Sequence, residues 1–147
     1  MARPKTAPPL ASADEIEQQF YEALQRGDID RLMGLWSDDD EISCVHPGGP
    51  RLVGAVAIRA SFDALFANGT IDARPEKVRR LDTHSTAVHS VLERVRVPGP
   101  DGESFAYVVA TNVYVKATRG WRLVAHHASP GTASEVPDIA ETASILH

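Results

Sequence analysis

The sequence holds a single cysteine, Cys44, in 147 residues, so an internal disulfide is excluded and an oxidising compartment is not indicated. It has no run of Lys or Arg longer than Arg79-Arg80, and its formal net charge is −5. Nucleic-acid binders present a basic stripe, so that partner class is not expected. No apolar run approaches the roughly 18 residues of a membrane-spanning helix. Residues 1–13 carry Arg3 and Lys5 but no apolar segment of the kind a secretory signal needs. The expectation is a cytoplasmic protein with neither membrane nor nucleic acid as partner. A Gly-rich phosphate loop, a nucleophile elbow and a dinucleotide fingerprint are all missing, and no cofactor is expected.

What is there suits one domain, since domains commonly run to roughly 100–200 residues. Residues 1–13 are rich in Pro and Ala without periodicity and read as a flexible tail. The domain proper is expected over residues 14–130. Residues 131–147 form a C-terminal tail that can lie over the domain or hang free. The longest like-charge run, Asp38-Asp39-Asp40-Glu41, reads as a solvated turn rather than a metal site.

Ser12 followed by Glu15 fits a capping box, and Ile16, Phe20 and Leu24 then recur at helical spacing. Gly27 can end that helix in the left-handed conformation, while Asp28 can cap the next, whose stripe is Ile29, Leu32, Met33 and Trp36. A short strand over 41–45 stops at His46-Pro47-Gly48-Gly49-Pro50, a turn by composition. A second short strand covers 51–53. Ala57, Ile58, Ser61, Phe62, Leu65 and Phe66 then repeat as a third helix. Four strand patterns follow, over 71–82, 87–97, 104–116 and 121–129, joined by short Gly-containing loops as antiparallel hairpins. Pro75 suits an edge or a bulge in the first of them. Three helices and then a meander of strands make an α+β fold, a curved antiparallel sheet packed on three helices.

The strand over 104–116 carries no polar face. Phe105, Tyr107, Val109, Thr111, Val113 and Val115 alternate with Ala106, Val108, Ala110, Asn112 and Tyr114. A sheet wet on one side alternates polar and apolar, so both faces here need cover. The helices cover one; a second copy of the chain would cover the other, giving a homodimer through the outer sheet face. The C-terminal tail is the rival cover.

Two residues stand out for chemistry. His46 ends a strand beside a rigid turn, and an imidazole can exchange a proton near neutral pH without a large shift. It can equally cap the turn. Asn112 interrupts an apolar strand, where a buried amide must find partners or cost about 1–3 kcal/mol. It can contact a ligand or a neighbouring backbone group. His126 and His127 are adjacent and so face opposite sides of a strand. A two-residue turn at Arg119-Gly120 pairs Asn112 with His127 and aims His127 at the pocket, although a one-residue difference in the turn would choose His126. The small Ala110 on the Asn112 face leaves room for a ligand. Phe20, Trp36 and Phe62 on inner helix faces would wall the cavity, or simply belong to the core. Cys44 and His46, two apart, could join His127 around zinc, but the spacing is a weak signal and no metal is expected.

The segments FYEALQRGDIDRLMGLWSDD, SCVHPGG, LVG and GWRLVAHHASP, in this order of elements, resemble the SnoaL-like branch of the NTF2-like superfamily. That resemblance implies a cone-shaped, cystatin-like roll over roughly residues 14–130. The superfamily includes ketosteroid isomerases, polyketide cyclases, dehydratases and the association domain of a calmodulin-dependent kinase, so fold alone does not assign activity. Set against the isomerase pattern, His46 stands at the Asp general base, Phe20 at the Tyr of the first helix and Asn112 at the protonated Asp. On that placement the hydroxyl donor is absent. Two functions follow as expectations. One is the binding of a small, largely apolar molecule with isomerase-, dehydratase- or cyclase-type proton transfer. The other is a non-catalytic module for association or ligand sensing.

Overall fold

A computed structural model describes residues 12–134. The first helix, α1 (Ala13–Arg26), begins where Ser12 Oγ accepts the Glu15 amide at 3.1 Å. It ends at Gly27, whose φ of 66° is the left-handed conformation that a side chain would strain. Asp28 then caps α2 (Ile29–Gly34) by accepting from the Arg31 amide. Strands β1 (Ser43–Val45) and β2 (Arg51–Val53) flank the Pro/Gly turn, and α3 (Ala55–Phe66) follows. The meander is β3 (Ala73–Asp82), β4 (Thr86–Gly99), β5 (Gly102–Ala117) and β6 (Gly120–Pro130).

These six strands make one sheet in the order β2-β1-β6-β5-β4-β3. All neighbours are antiparallel except β1 and β6, which run parallel, so the sheet is mixed where the sequence led us to expect antiparallel pairing alone. The reason is connectivity. β1 is reached from α2, not from a hairpin with β6, and lies along the free edge that β6 offers. Pro75 sits in β3, at the other edge of the sheet, and the pairing with β4 shifts register between Pro75 and Lys77. An edge tolerates the missing amide.

The core lies between the helices and one face of the sheet. From α1 it takes Ile16, Phe20, Ala23 and Leu24; from α3, Ile58 and Phe62; from the strands, Cys44, Val91, Tyr114 and Leu123. On the same buried face of α1, one turn apart, sit Glu17 and Tyr21. On β4 the inward set is Ala87, His89, Val91 and Glu93, and on β5 it is Ala110, Asn112 and Tyr114. Five polar or charged side chains (Glu17, His89, Glu93, Asn112 and His126) are thereby buried in one core, which an unselective fold would avoid.

The outer face of β5 is less covered: Phe105 is 43% exposed and Val109 41%. The chain leaving β6 turns over part of it. The Gly131 amide donates to the Tyr107 carbonyl at 2.9 Å, and Thr132 and Ser134 share a shallow cleft with Val109, Leu92 and Ser90. The tail beyond residue 134 lies outside the described residues.

Candidate active site

The site begins where β1 meets the Pro/Gly turn. His46, at the end of β1, is half-buried, with its Nε2 2.9 Å from Ser61 Oγ on α3. Ser61 spends its one hydroxyl proton on the Ile58 carbonyl at 2.7 Å, so it accepts from His46 Nε2–H. The His46 lone pair is therefore on Nδ1. Partial burial lowers the His46 pKa, which keeps the ring neutral at physiological pH. Cys44 Sγ lies 3.9 Å from the same Nε2, and burial pushes the thiol up to about 12, so it is no nucleophile.

From His46 an aromatic series runs inward. Its ring meets Phe62 edge-on at 4.8 Å; Phe62 meets Phe20 at 6.4 Å; Phe20 meets the His126 ring at 5.1 Å. Beyond it lies a line of hydrogen bonds whose donors all point one way. His126 Nδ1 and Asn112 Oδ1 are 2.5 Å apart, Asn112 Nδ2 donates to Tyr21 Oη at 3.2 Å, and Tyr21 Oη donates to Glu93 Oε2 at 2.6 Å. Because the amide nitrogen of Asn112 faces Tyr21, its oxygen must take the His126 Nδ1 proton. All four side chains are buried.

Burial dominates the electrostatics here. It raises the Glu93 carboxyl to about 7, against the Tyr21 hydrogen bond, which lowers it. It lowers His126 to about 3, with smaller contributions from His46 and His127, so His126 is neutral. Desolvation, then the Glu93 charge, holds the Tyr21 phenol well above its ordinary value. A carboxyl near neutrality beside a phenol donor is the equipment of general acid–base chemistry.

Several sequence-based placements are corrected. His127 is exposed on the outer face opposite Thr111, and His126 stands opposite Asn112. The hairpin turn is Thr118-Arg119, since Ala117 pairs with Gly120, and an extra residue in β6 shifts the register between Val113 and Tyr114. A shift of one residue reverses side-chain parity. With His127 turned away, the Cys44, His46 and His127 set does not converge. Phe20, Phe62 and Ala110 are gathered near Asn112 in the core, each at most 2% exposed. Trp36 is elsewhere: it bridges to Leu123 and lines a cleft of about 450 Å³ with Met33, Ser37, Thr118, Arg119 and Arg122. The interior around Asn112 is occupied by the protein's own side chains.

The hydroxyl donor looked for at Phe20 is present one residue on, as Tyr21. Sequence reasoning also passed over Glu93 and Glu17, although both break apolar sets on inward faces. The signal was available in β4, where His89 and Glu93 alternate with apolar partners at period two.

The comparisons decide the family. The SnoaL-like domain profile matches residues 14–133. The chain belongs to the SnoaL-like domain family. No curated protein sequence matches it. Among solved structures, this SnoaL-like chain is similar to one assigned as a calcium/calmodulin-dependent protein kinase type II association domain from Thiobacillus denitrificans. Their identity is 29% and TM-score 0.78, over 86% of this chain and 100% of the other. One assigned as a dehydratase of the NTF2-like family from Streptomyces avermitilis is 34% identical, with TM-score 0.71, over 80% and 93%. The hub of the kinase from S. rosetta, 22% identical with TM-score 0.64 over 86% and 99%, shares the fold. An uncharacterised protein from Caulobacter vibrioides, 18% identical with TM-score 0.70, is described as having a cystatin-like fold. The SnoaL-like chain is accordingly an α+β, cystatin-like member of the NTF2-like group. Among the described residues no helix is long and apolar enough to cross a membrane.

Proposed function

We propose that this SnoaL-like domain takes a small, largely apolar molecule into its cone and transfers a proton on it, as isomerases, dehydratases and cyclases do. The observation that carries the reading is the unidirectional line from His126 through Asn112 and Tyr21 to Glu93. Folding does not require it. Buried polar groups are worth little net even when satisfied, and apolar residues of like shape would serve stability as well. In this reading Phe20 and Phe62 move aside, and a substrate oxygen takes a hydrogen bond from the second Asn112 Nδ2 proton and, when Glu93 is protonated and donates to Tyr21 Oη, from the Tyr21 hydroxyl so released. Glu93, close to half-protonated at neutral pH, gives or takes the proton. His46 Nδ1 serves as the second base. The protein assigned as a dehydratase, at 34% identity, lends support to this class of chemistry.

The test is a mass-spectrometric search for co-purified small molecules, followed by NMR titration with a panel of cyclic ketones and enones. Wild type should bind one class. Tyr21→Phe and His46→Ala should bind it at least about tenfold more weakly, the loss of one hydrogen bond to a charged or polarised partner. No binding by any class, or equal binding by both variants, overturns the reading.

A second reading, self-association without catalysis, is favoured by the occupied interior and by the uncovered apolar groups on the outer face of β5. Relatives assigned as a kinase association domain and a kinase hub point the same way. Light scattering should then give a mass at least double the 15.9 kDa chain. Val109→Glu should return it to a monomer, because a buried unpaired charge at an interface is costly. A wild-type protein that is monomeric at all concentrations removes this reading.

A further inference from the structure

A cleft of about 310 Å³ opens where the start of α1 meets the β3–β4 turn. Ser12, Asp14, Asp82, Thr83, His89 and Trp121 are among its walls. His89 is fully buried, and its Nε2 has no hydrogen-bond partner. Its other nitrogen, Nδ1, is bonded to Glu17 Oε2 from α1. An ionised carboxylate only accepts, so Nδ1 carries the proton, and in the neutral ring Nε2 holds a bare lone pair. That lone pair faces the cleft: Asp14 Oδ1 lies 3.9 Å and Asp82 Oδ1 4.0 Å from it.

The cleft is therefore lined by acceptors. Both carboxylates are mostly exposed, at 64% and 63% of their side-chain surface, and free to adjust. Thr83 Oγ1 is spent, donating to the Thr86 carbonyl and accepting the Thr86 amide. Ser12 Oγ already accepts from Glu15. One cation is close by: Arg80 Nε donates to Asp14 Oδ1 at 2.8 Å, with its Nη2 4.0 Å from Glu17. Asp14, Glu17 and Asp82 outnumber it three to one, which leaves the corner anionic.

We infer that this cleft binds a small primary amine as its alkylammonium ion, with N–H donors to His89 Nε2, Asp14 and Asp82 and the alkyl end against the Trp121 indole. Geometry selects the ammonium over a metal. An ammonium nitrogen reaches about 2.8 Å from the buried Nε2 and both carboxylates, a normal charge-assisted hydrogen bond, once the mostly exposed Asp14 and Asp82 side chains swing outward. A metal at about 2.0–2.2 Å would have to draw the carboxylates inward. Among the described residues no group of three or more His, Cys, Asp or Glu is spaced to hold a metal ion. An ammonium gives the buried lone pair the donor it lacks and offsets the local negative charge, while its alkyl end lies on the apolar indole. Glu17 acts from behind as a positioning residue, fixing the tautomer and ring orientation of His89, as carboxylates do for other imidazole ligands.

The test uses the full chain with ¹⁵N-labelled histidine at pH 7, where two-bond proton–nitrogen spectra read each ring nitrogen's protonation. In the free protein His89 Nε2 should resonate as an unprotonated nitrogen. Propylammonium should move that resonance saturably, whereas tetramethylammonium, which has charge but no N–H, and propionate should not. Asp82→Asn, an exposed substitution that keeps the fold, should weaken propylammonium binding about tenfold or more. A protonated His89 Nε2 in the free protein overturns the inference. So does an equal response to tetramethylammonium, unchanged affinity in Asp82→Asn, or saturation by zinc but not by the amine.

Discussion

Replacing Glu93 by Gln should stabilise the protein at pH 8 by up to about 3 kcal/mol and by almost nothing at pH 4. The sign follows from linkage. Burial raises the Glu93 carboxyl from its ordinary 4.5 to about 7 in the folded state. Between those values the folded chain holds a proton that the unfolded chain has released. Stability therefore falls as pH rises through that window, and the cost levels off above it. Glutamine cannot ionise, yet its amide oxygen can still accept from Tyr21, so the variant escapes this cost. His126 works the other way. Its pKa is depressed from 6.5 to about 3, so its contribution is complete above 6.5 and is lost as pH falls toward 3. The two slopes oppose each other between about 4.5 and 6.5, which flattens the wild-type profile there. The difference between Glu93→Gln and wild type isolates the carboxyl. Urea unfolding at half-unit intervals from pH 4 to 8 measures it. A difference that does not grow between pH 4.5 and 7 would mean that Glu93 is not buried beside Tyr21 as described.

Asn112→Ala should cost about 3–5 kcal/mol, an effect of opposite sign and larger size. The amide stands at the centre of the line, with its oxygen on His126 and its nitrogen on Tyr21. Removing it strands a buried imidazole N–H and halves the bonding of a buried phenol, at about 1–3 kcal/mol for each unsatisfied group, and leaves a void besides. Equilibrium denaturation at pH 7, where His126 is neutral and Asn112→Ala changes no charge, reads the effect directly. A loss below about 1 kcal/mol would show that Asn112 is not the joint between the two halves of the line.

The helices were legible because their boundaries are chemical. Ser12, Gly27 and Asp28 each do one identifiable thing to a backbone group, and the sequence names them. The strands were legible from alternation and from the Pro/Gly turns between them. Asn112 was found because an amide in an apolar strand is conspicuous. Tyr21 was missed for the opposite reason. On a helix that buries Ile16, Phe20 and Leu24, a tyrosine next to Phe20 reads as one more aromatic, and only the distance to Glu93 reveals it as a donor. Glu93 itself sits between Leu92 and Arg94, in a stretch whose charges pass for surface. No local rule says that a carboxylate in strand four will meet a phenol in helix one, because 72 residues separate them. The choice between His126 and His127 failed on a single uncounted residue.

That residue has a bearing on how relatives should be compared. Leu123 and His126 both point inward, three positions apart, which a strand of strict two-residue repeat forbids. Counting along the chain would equate His126 with whatever occupies the same ordinal place in a straight-laddered cousin, and that cousin would offer its outer surface there. Alignments of this segment are therefore meaningful only when matched by sheet face. Inventories of inward-facing histidines across such proteins, if made by column number, will mix two populations.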